Sequence, residues 1–359
     1  MGSPSDATFK VSDGKIYICL YLIMVLGIPF AMYRSLAFDY VFVYAVNVLL
    51  FFFCLRVINT FEKLEAMMFT VCCSALFYGA FSLIMSDSGS ERFSYGSEYD
   101  PNDLAYILVA LLPVSIYYVT HNRGFIKRVF GIATVGISLI TILLTGSRGG
   151  FLGLISIALL LFITNVSGIK WTQKIALVII CLALFATFGN AINMERYKTL
   201  QDVGTDYNVT AEDGRLALWR MGIKVALSNP LTGVGANCIG QAIGEMKAAN
   251  GEGSAKWQTA HNSYIEMAAE IGLIGFILYI TMIIGTVKKL LFCQKAQITS
   301  PNAKEFQSIA ASLQLGFIGS LVAAFFLSQA YSVIFALYFA LSAVMKNIAR
   351  IQFDPNVRR

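Results

Sequence analysis

Charge is what this sequence has least of. Asp, Glu, Lys and Arg make up 13% of its 359 residues, about half the share of a soluble domain. Together with a mean hydropathy of +0.67, that shortage excludes a water-soluble globular fold. Histidine is nearly missing, with only His121 and His261 in the chain. There is no H-E-x-x-H, no D-x-D and no C-x-x-C, so the sequence offers neither a zinc motif nor a metal-diphosphate motif. No metal and no cofactor is expected. Without a Walker loop or a G-x-S-x-G elbow, P-loop nucleotide chemistry and α/β-hydrolase chemistry are also unsupported. Five of the seven cysteines lie within apolar runs, and of the other two, Cys293 and Cys238, only Cys238 falls in a predicted outer loop. No disulfide is expected within those loops.

What the chain does have is apolar blocks near the length that crosses a bilayer, about 20 residues of helix. They predict ten spans, at 16–33, 40–58, 65–85, 103–120, 125–144, 149–166, 172–190, 263–285, 305–327 and 330–348. In lipid each must be a helix, because only helical backbone satisfies its own hydrogen bonds there. The expected fold is an all-α, polytopic membrane helix bundle. With both termini in the cytoplasm, most Lys and Arg fall inside. HNRGFIKR at 121–128, Lys170–Lys174 and the basic stretch from Lys288 are inner turns, whereas the acidic loop 86–103 is outer. The net charge of +6 is therefore a topology signal; no nucleic-acid partner is expected, and the membrane lipid is.

Three parts follow from this: helices one to seven over residues 1–190, a long outer segment over 191–262, and helices eight to ten with a cytoplasmic tail over 263–359. A connection as long as the middle part is usually functional when it is ordered. In GRLALWRMGIKVAL (214–227) the spacing of Leu216, Trp219, Ile223 and Leu227 predicts an amphipathic helix lying on the membrane face, with Asp213 as its N-cap. SNPLTGVG (228–235) stops that helix. A softer stretch, 240–258, follows.

The residues able to do chemistry collect on the outer side. Arg148 sits in TGSRGG (145–150), where small neighbours would let a bulky anion approach. Arg215 opens the loop helix, with Arg220 and Lys224 on other faces, and His261 opens span eight. A guanidinium is a permanent planar fork that matches phosphate oxygens, and an imidazole takes a proton near neutral pH. Simpler roles stand beside these. Arg148 could snorkel at a helix end, and Arg215 or Arg220 could be surface charges. Trp219 reads as an interfacial anchor. Asn262, Glu266 and Glu270 could support the histidine or merely form a polar first turn that suits the helix dipole.

The order of these pieces resembles the O-antigen ligase and polymerase superfamily. The likeness lies in Arg215, Trp219, Pro230, Gly233 and Gly235, followed by His261, Asn262, Tyr264, Glu270, Gly272 and Gly275, with TGSRGG and YDPNDLA (99–105) as earlier matches. It implies a bacterial inner-membrane glycosyltransferase. Its donor partner would be a glycan on undecaprenyl diphosphate, and its acceptor a lipid A core (a ligase) or a growing polysaccharide (a polymerase). It also implies that Arg215 and His261 are essential, with more spans in the family's ligases than are expected here. In such a reaction Arg148, Arg215 and Arg220 would hold the diphosphate, His261 would serve as base, and Asn262, Glu266 and Glu270 would support it. A small-solute transporter is the rival class, but it should carry ionisable residues along its spans, which are scarce in this sequence.

Overall fold

The computed structural model describes residues 12–85, 100–121, 124–163, 169–188, 214–251, 257–296 and 301–353. Among these the chain is built of α-helices, with no strand: α1 Ser12–Gly27, α2 Arg34–Val57, α3 Phe61–Met85, α4 Pro101–Thr120, α5 Phe125–Leu144, α6 Arg148–Ile163, α7 Trp171–Phe188, α8 Arg215–Ser228, α9 Ile239–Ala249, α10 Ser263–Lys295, α11 Ala303–Ala324 and α12 Val333–Ile348. Helices α2, α3, α4, α5, α10, α11 and α12 are long and apolar enough to cross a membrane, while the apolar segments at α1, α6 and α7 are shorter. A helix thus stands at each predicted span. On α2, Phe42, Val46, Leu49 and Phe53 form an exposed apolar stripe at helical spacing, a face that suits lipid and not water. The chain is a polytopic helical membrane protein.

Local sequence explains several helix ends. Asp100 caps α4 by accepting from the Asn102 backbone amide at 2.9 Å and from its side chain at 2.7 Å, with Pro101 at the first helical position. The D-P-N stretch is therefore a helix start. The first predicted span runs through Gly27 and Pro29, but α1 ends at Gly27 and a single 3-10 turn, Ile28–Phe30, follows. The eighth predicted span is also interrupted: Gly272, at φ 70° and ψ −178°, breaks α10 nine residues after its start. Most of the acidic loop at 86–103 and the first part of the long segment, including Asp213, lie outside the described residues.

The fold divides into two compact units. One comprises Ile58–Gln201, Val287–Ala323 and Val344–Arg359. Helix α4 is its most buried element, and α5 and α6 approach it through glycine. A Cβ at Gly131 would meet the Tyr118 Cβ at 2.9 Å, and one at Gly150 would meet the Ala105 Cβ at 2.6 Å. Gly153 lies against the Gly319 carbonyl in the same way, at 2.8 Å. Small residues at such contacts let helices that gain nothing from water exclusion come close enough for dispersion to hold them. At one end Lys127 pairs with Glu65 at 2.8 Å, and Tyr118 donates to the Glu65 carbonyl at 3.0 Å.

The other unit comprises Met1–Val57, Asp202–Thr286 and Ala324–Ala343. Its membrane-type helices pack through aromatic edges. Tyr17 meets Phe51 at 4.9 Å and Phe339 at 6.1 Å, and Tyr331 meets Tyr40 at 5.2 Å and Tyr44 at 5.7 Å. A separate core of small apolar residues joins α8 and α9 to the start of α2 and to α10, with Ala37, Leu218, Val225, Val234, Ile239, Ile243, Ala260 and Ala269 at its centre.

Candidate active site

The second unit carries Arg215, Arg220, His261, Asn262, Glu266 and Glu270; Arg148 belongs to the first. The second unit is organised by a clasp between two glycine-containing strips. In PLTGVG, Val234 donates to the Ala269 carbonyl at 2.9 Å and Gly235 to the Glu270 carbonyl at 3.0 Å, while Leu273 donates back to Pro230 at 2.8 Å. These bonds use the carbonyls and the amide that the break at Gly272 releases, so the irregular backbone stays satisfied. The two strips touch main chain to main chain. A Cβ on Gly233 would sit 2.3 Å from the Glu270 carbonyl, and one on Gly272 would sit 2.4 Å from the Leu231 carbonyl oxygen. Both glycines also hold positive φ, 67° and 70°, which a side chain would strain.

Glu270 completes the clasp. Its side chain is 1% exposed and accepts from the backbone amides of Asn237 at 2.7 Å and Ile239 at 3.1 Å. It thereby caps the N-terminus of α9, where Cys238 offers no side-chain cap. Glu270, expected to support the histidine, holds the loop instead. Glu266, also buried, has Oε2 3.4 Å from the Ala330 amide. The Tyr331 phenol lies close to both acids. The next hydroxyl along, Ser263 Oγ, donates to the Leu327 carbonyl at 2.7 Å and accepts from the Gln329 amide at 2.8 Å. The start of α10 is thus tied to the segment between α11 and α12.

His261 stands at the head of this helix. Its backbone is left-handed, φ 46°, a conformation shared among described non-glycine residues only by Asn237 at φ 59°. Its neighbours Ala260 and Asn262 are 0% and 1% exposed, while the histidine is half-buried. Asn262 does not reach toward the ring. Its Oδ1 accepts from the amides of Tyr264 at 3.0 Å and Ile265 at 3.1 Å, making it the N-cap of α10. A non-glycine residue held left-handed by fixed neighbours on both sides is the sort of local strain that functional sites retain.

Arg215 is the first residue of α8 and is half-buried. The described start of that helix has Gly214 at the cap position with no side-chain bond, so an N-cap by Asp213 lies outside what the structure describes. Helix α8 packs through Leu218, Gly222 and Val225. A Cβ on Gly222 would touch Ile265 at 2.6 Å and Ala260 at 3.6 Å, which sets α8 against the residues on both sides of His261. The face packed on the protein is thus distinct from the predicted membrane-facing stripe, whose Leu216, Ile223 and Leu227 are 42%, 48% and 74% exposed. Trp219, read from the sequence as an interfacial anchor, instead meets Phe325 edge-on at 5.2 Å, and Phe325 in turn meets Tyr264 at 6.1 Å. Its Nε1 donor is buried with no hydrogen-bond partner. Arg220 is exposed, five residues on and about 140° round the helix from Arg215.

Arg148, in the first unit, opens α6 and is 8% exposed. The whole turn 145–150 is buried. Thr145 Oγ1 accepts from the Ser147 amide at 3.2 Å, and Ser147 Oγ accepts from Gly150 at 3.2 Å. The small residues here serve helix packing and capping, rather than forming an open approach for an anion.

Residues 133–280 match a family model described as O-antigen ligase. That stretch, less than half of the chain, is similar to the O-antigen ligase family. All seven residues singled out for chemistry lie within the matched stretch. No curated protein matches the sequence significantly. The match supports the O-antigen ligase and polymerase superfamily, whose members are glycosyltransferase-like enzymes.

Proposed function

We propose that the chain is a glycosyltransferase of the O-antigen ligase type in a bacterial inner membrane. It moves a glycan from undecaprenyl diphosphate to an acceptor sugar on the periplasmic side, in the assembly of a surface polysaccharide. The observation that carries this reading is His261: a half-exposed imidazole on strained backbone, between two buried neighbours, with the helix of Arg215 packed on both flanks. In the reaction an acceptor hydroxyl oxygen bonds to the anomeric carbon as the bond from that carbon to the diphosphate oxygen breaks, with inversion. His261 removes the hydroxyl proton. Arg215 takes up the charge that builds on the departing diphosphate, so its fork contributes more in the transition state than in the ground state. The guanidinium supplies the positive charge, so no metal is required in this scheme. Arg220 serves as an additional diphosphate ligand in the same proposal.

A base that must be neutral makes transfer rise with pH; a flat profile argues against His261. Profiling the surface glycans of a deletion strain separates the two members of the superfamily. Loss of a ligase leaves core lipid without long chains, and loss of a polymerase leaves a single repeat attached. Solute uptake into sealed vesicles with normal glycans would point to transport instead.

A further inference from the structure

One feature of the second unit takes no part in that chemistry. Beside the first turn of α2 lies an open groove of ≈ 700 Å³, with Tyr33, Arg34, Asp39, Gln241 and Trp257 in its lining. Tyr33 and Trp257 present two tilted rings, centroids 6.4 Å apart at 53°, and they are 37% and 62% exposed. Arg34 and Asp39 are exposed, and neither side chain has a hydrogen bond or ion pair with another described side chain. The wall is held in place. Tyr33 donates to Glu245 Oε1 at 2.6 Å, Met32 donates to the Val234 carbonyl at 2.8 Å, and Gly235 fits so closely that a Cβ would meet the Ala31 Cβ at 2.4 Å. Gln241, with its amide oriented to donate to the Asn237 and Cys238 carbonyls at 3.2 and 3.3 Å, fixes the opposite side.

We infer that this groove binds an oligosaccharide. The inference rests on the glycosyl-transfer reading and adds to it where the sugar chain lies. A pyranose has an apolar C–H face that stacks on an aromatic ring and a belt of hydroxyls that a carboxylate and a guanidinium bond in pairs. The groove offers both, on a frame already ordered by Glu245 and the PLTGVG strip, so less is lost in fixing the rings on binding. Trp257 precedes His261 by four residues, which span at most roughly 14 Å when extended. The groove therefore opens within a short oligosaccharide's reach of the proposed base. An aromatic belt at the membrane interface is the alternative use of exposed Tyr and Trp. It does not explain why the Tyr33 hydroxyl is bound to a carboxylate, or why two opposite charges, unpaired among the described side chains, line the same groove.

The test needs no turnover. The full-length protein in lipid nanodiscs is titrated with two lipid-free probes: the glycan released by mild acid from the host's polyprenyl-linked donor, and the acceptor oligosaccharide from the deletion strain's envelope. The readout is tryptophan fluorescence. Saturable quenching by either probe, lost in Trp257→Phe and weakened about tenfold in Asp39→Asn and in Arg34→Ala, supports the groove, and the probe that quenches names its occupant. Quenching that these variants leave unchanged, or no quenching by either glycan, overturns the inference. So does a Trp257 emission that moves blue on transfer from detergent to bilayer without glycan, the mark of a membrane anchor. His261→Ala keeps the quenching while losing transfer. If His261→Ala transfers normally, the catalytic reading fails and the binding result still decides the groove.

Discussion

In the unit containing α3 to α6, Gly131 and Gly153 sit where helices touch, against Tyr118 and Gly319. In the unit containing α8 and α9, Gly233 and Gly272 sit where the chain leaves regular geometry. In the first case the missing side chain makes room for a neighbouring helix whose backbone is already satisfied. In the second it permits a backbone that no helix provides, and the amides and carbonyls so released are taken up by Ala269, Glu270 and Pro230. Irregular backbone at membrane depth is kept only where something else holds it. The unit that sustains it also holds the strained histidine and the α8 arginine.

The comparison can be broken at its strongest point by Glu270→Ala. This leaves the amides of Asn237 and Ile239 without their acceptor, and stability should fall by about 3 kcal/mol, read by thermal unfolding in detergent. A neutral result would mean that the clasp holds α9 without its acid. Gly272→Ala comes next, at about 2 kcal/mol from strain at positive φ and contact with Leu231, with transfer per folded molecule also falling because the head of α10 shifts. Gly131→Ala should cost about 1–2 kcal/mol by overpacking yet leave transfer per folded molecule unchanged. Equal losses of transfer in these two glycine variants would erase the distinction between the units. Smallest is Asn262→Ala, which removes a cap and costs about 1 kcal/mol; Asn262→Ser should restore most of it. A hundredfold loss of kcat without loss of stability would instead make Asn262 a partner of the histidine.

Much of the fold was legible because lipid imposes a simple rule: apolar runs of bilayer length must be helices, and each predicted span holds one. The Asp100 cap was not read from the sequence, where YDPNDLA stands only as part of the resemblance and the predicted span starts at 103. Helix α9 was not legible. Its cap is Glu270, more than thirty residues along the chain, so nothing within 239–249 marked its beginning. The packing face of α8 was not legible for a related reason. Leu216, Ile223 and Leu227 stay exposed, as a stripe on the membrane face requires, while Gly222 sets the side that approaches Ile265, and a glycine carries no hydrophobic signal. At the site, residue types singled out Arg215 and His261, which lie on packed neighbouring elements. They could not show that Asn262 and Glu270 are committed to caps, since a capping side chain and a catalytic one look alike until their partners are known.

Transfer kinetics of the purified enzyme with lipid-linked donor and acceptor, for His261→Ala, Arg215→Ala and Arg215→Lys, test the central claim most directly. The account predicts losses of roughly a hundredfold to ten-thousandfold in kcat for both alanine variants. It also predicts strong impairment in Arg215→Lys, which keeps the charge without the fork. All three proteins should insert in the membrane and unfold at the wild-type temperature. Wild-type rates in His261→Ala and Arg215→Ala would contradict it.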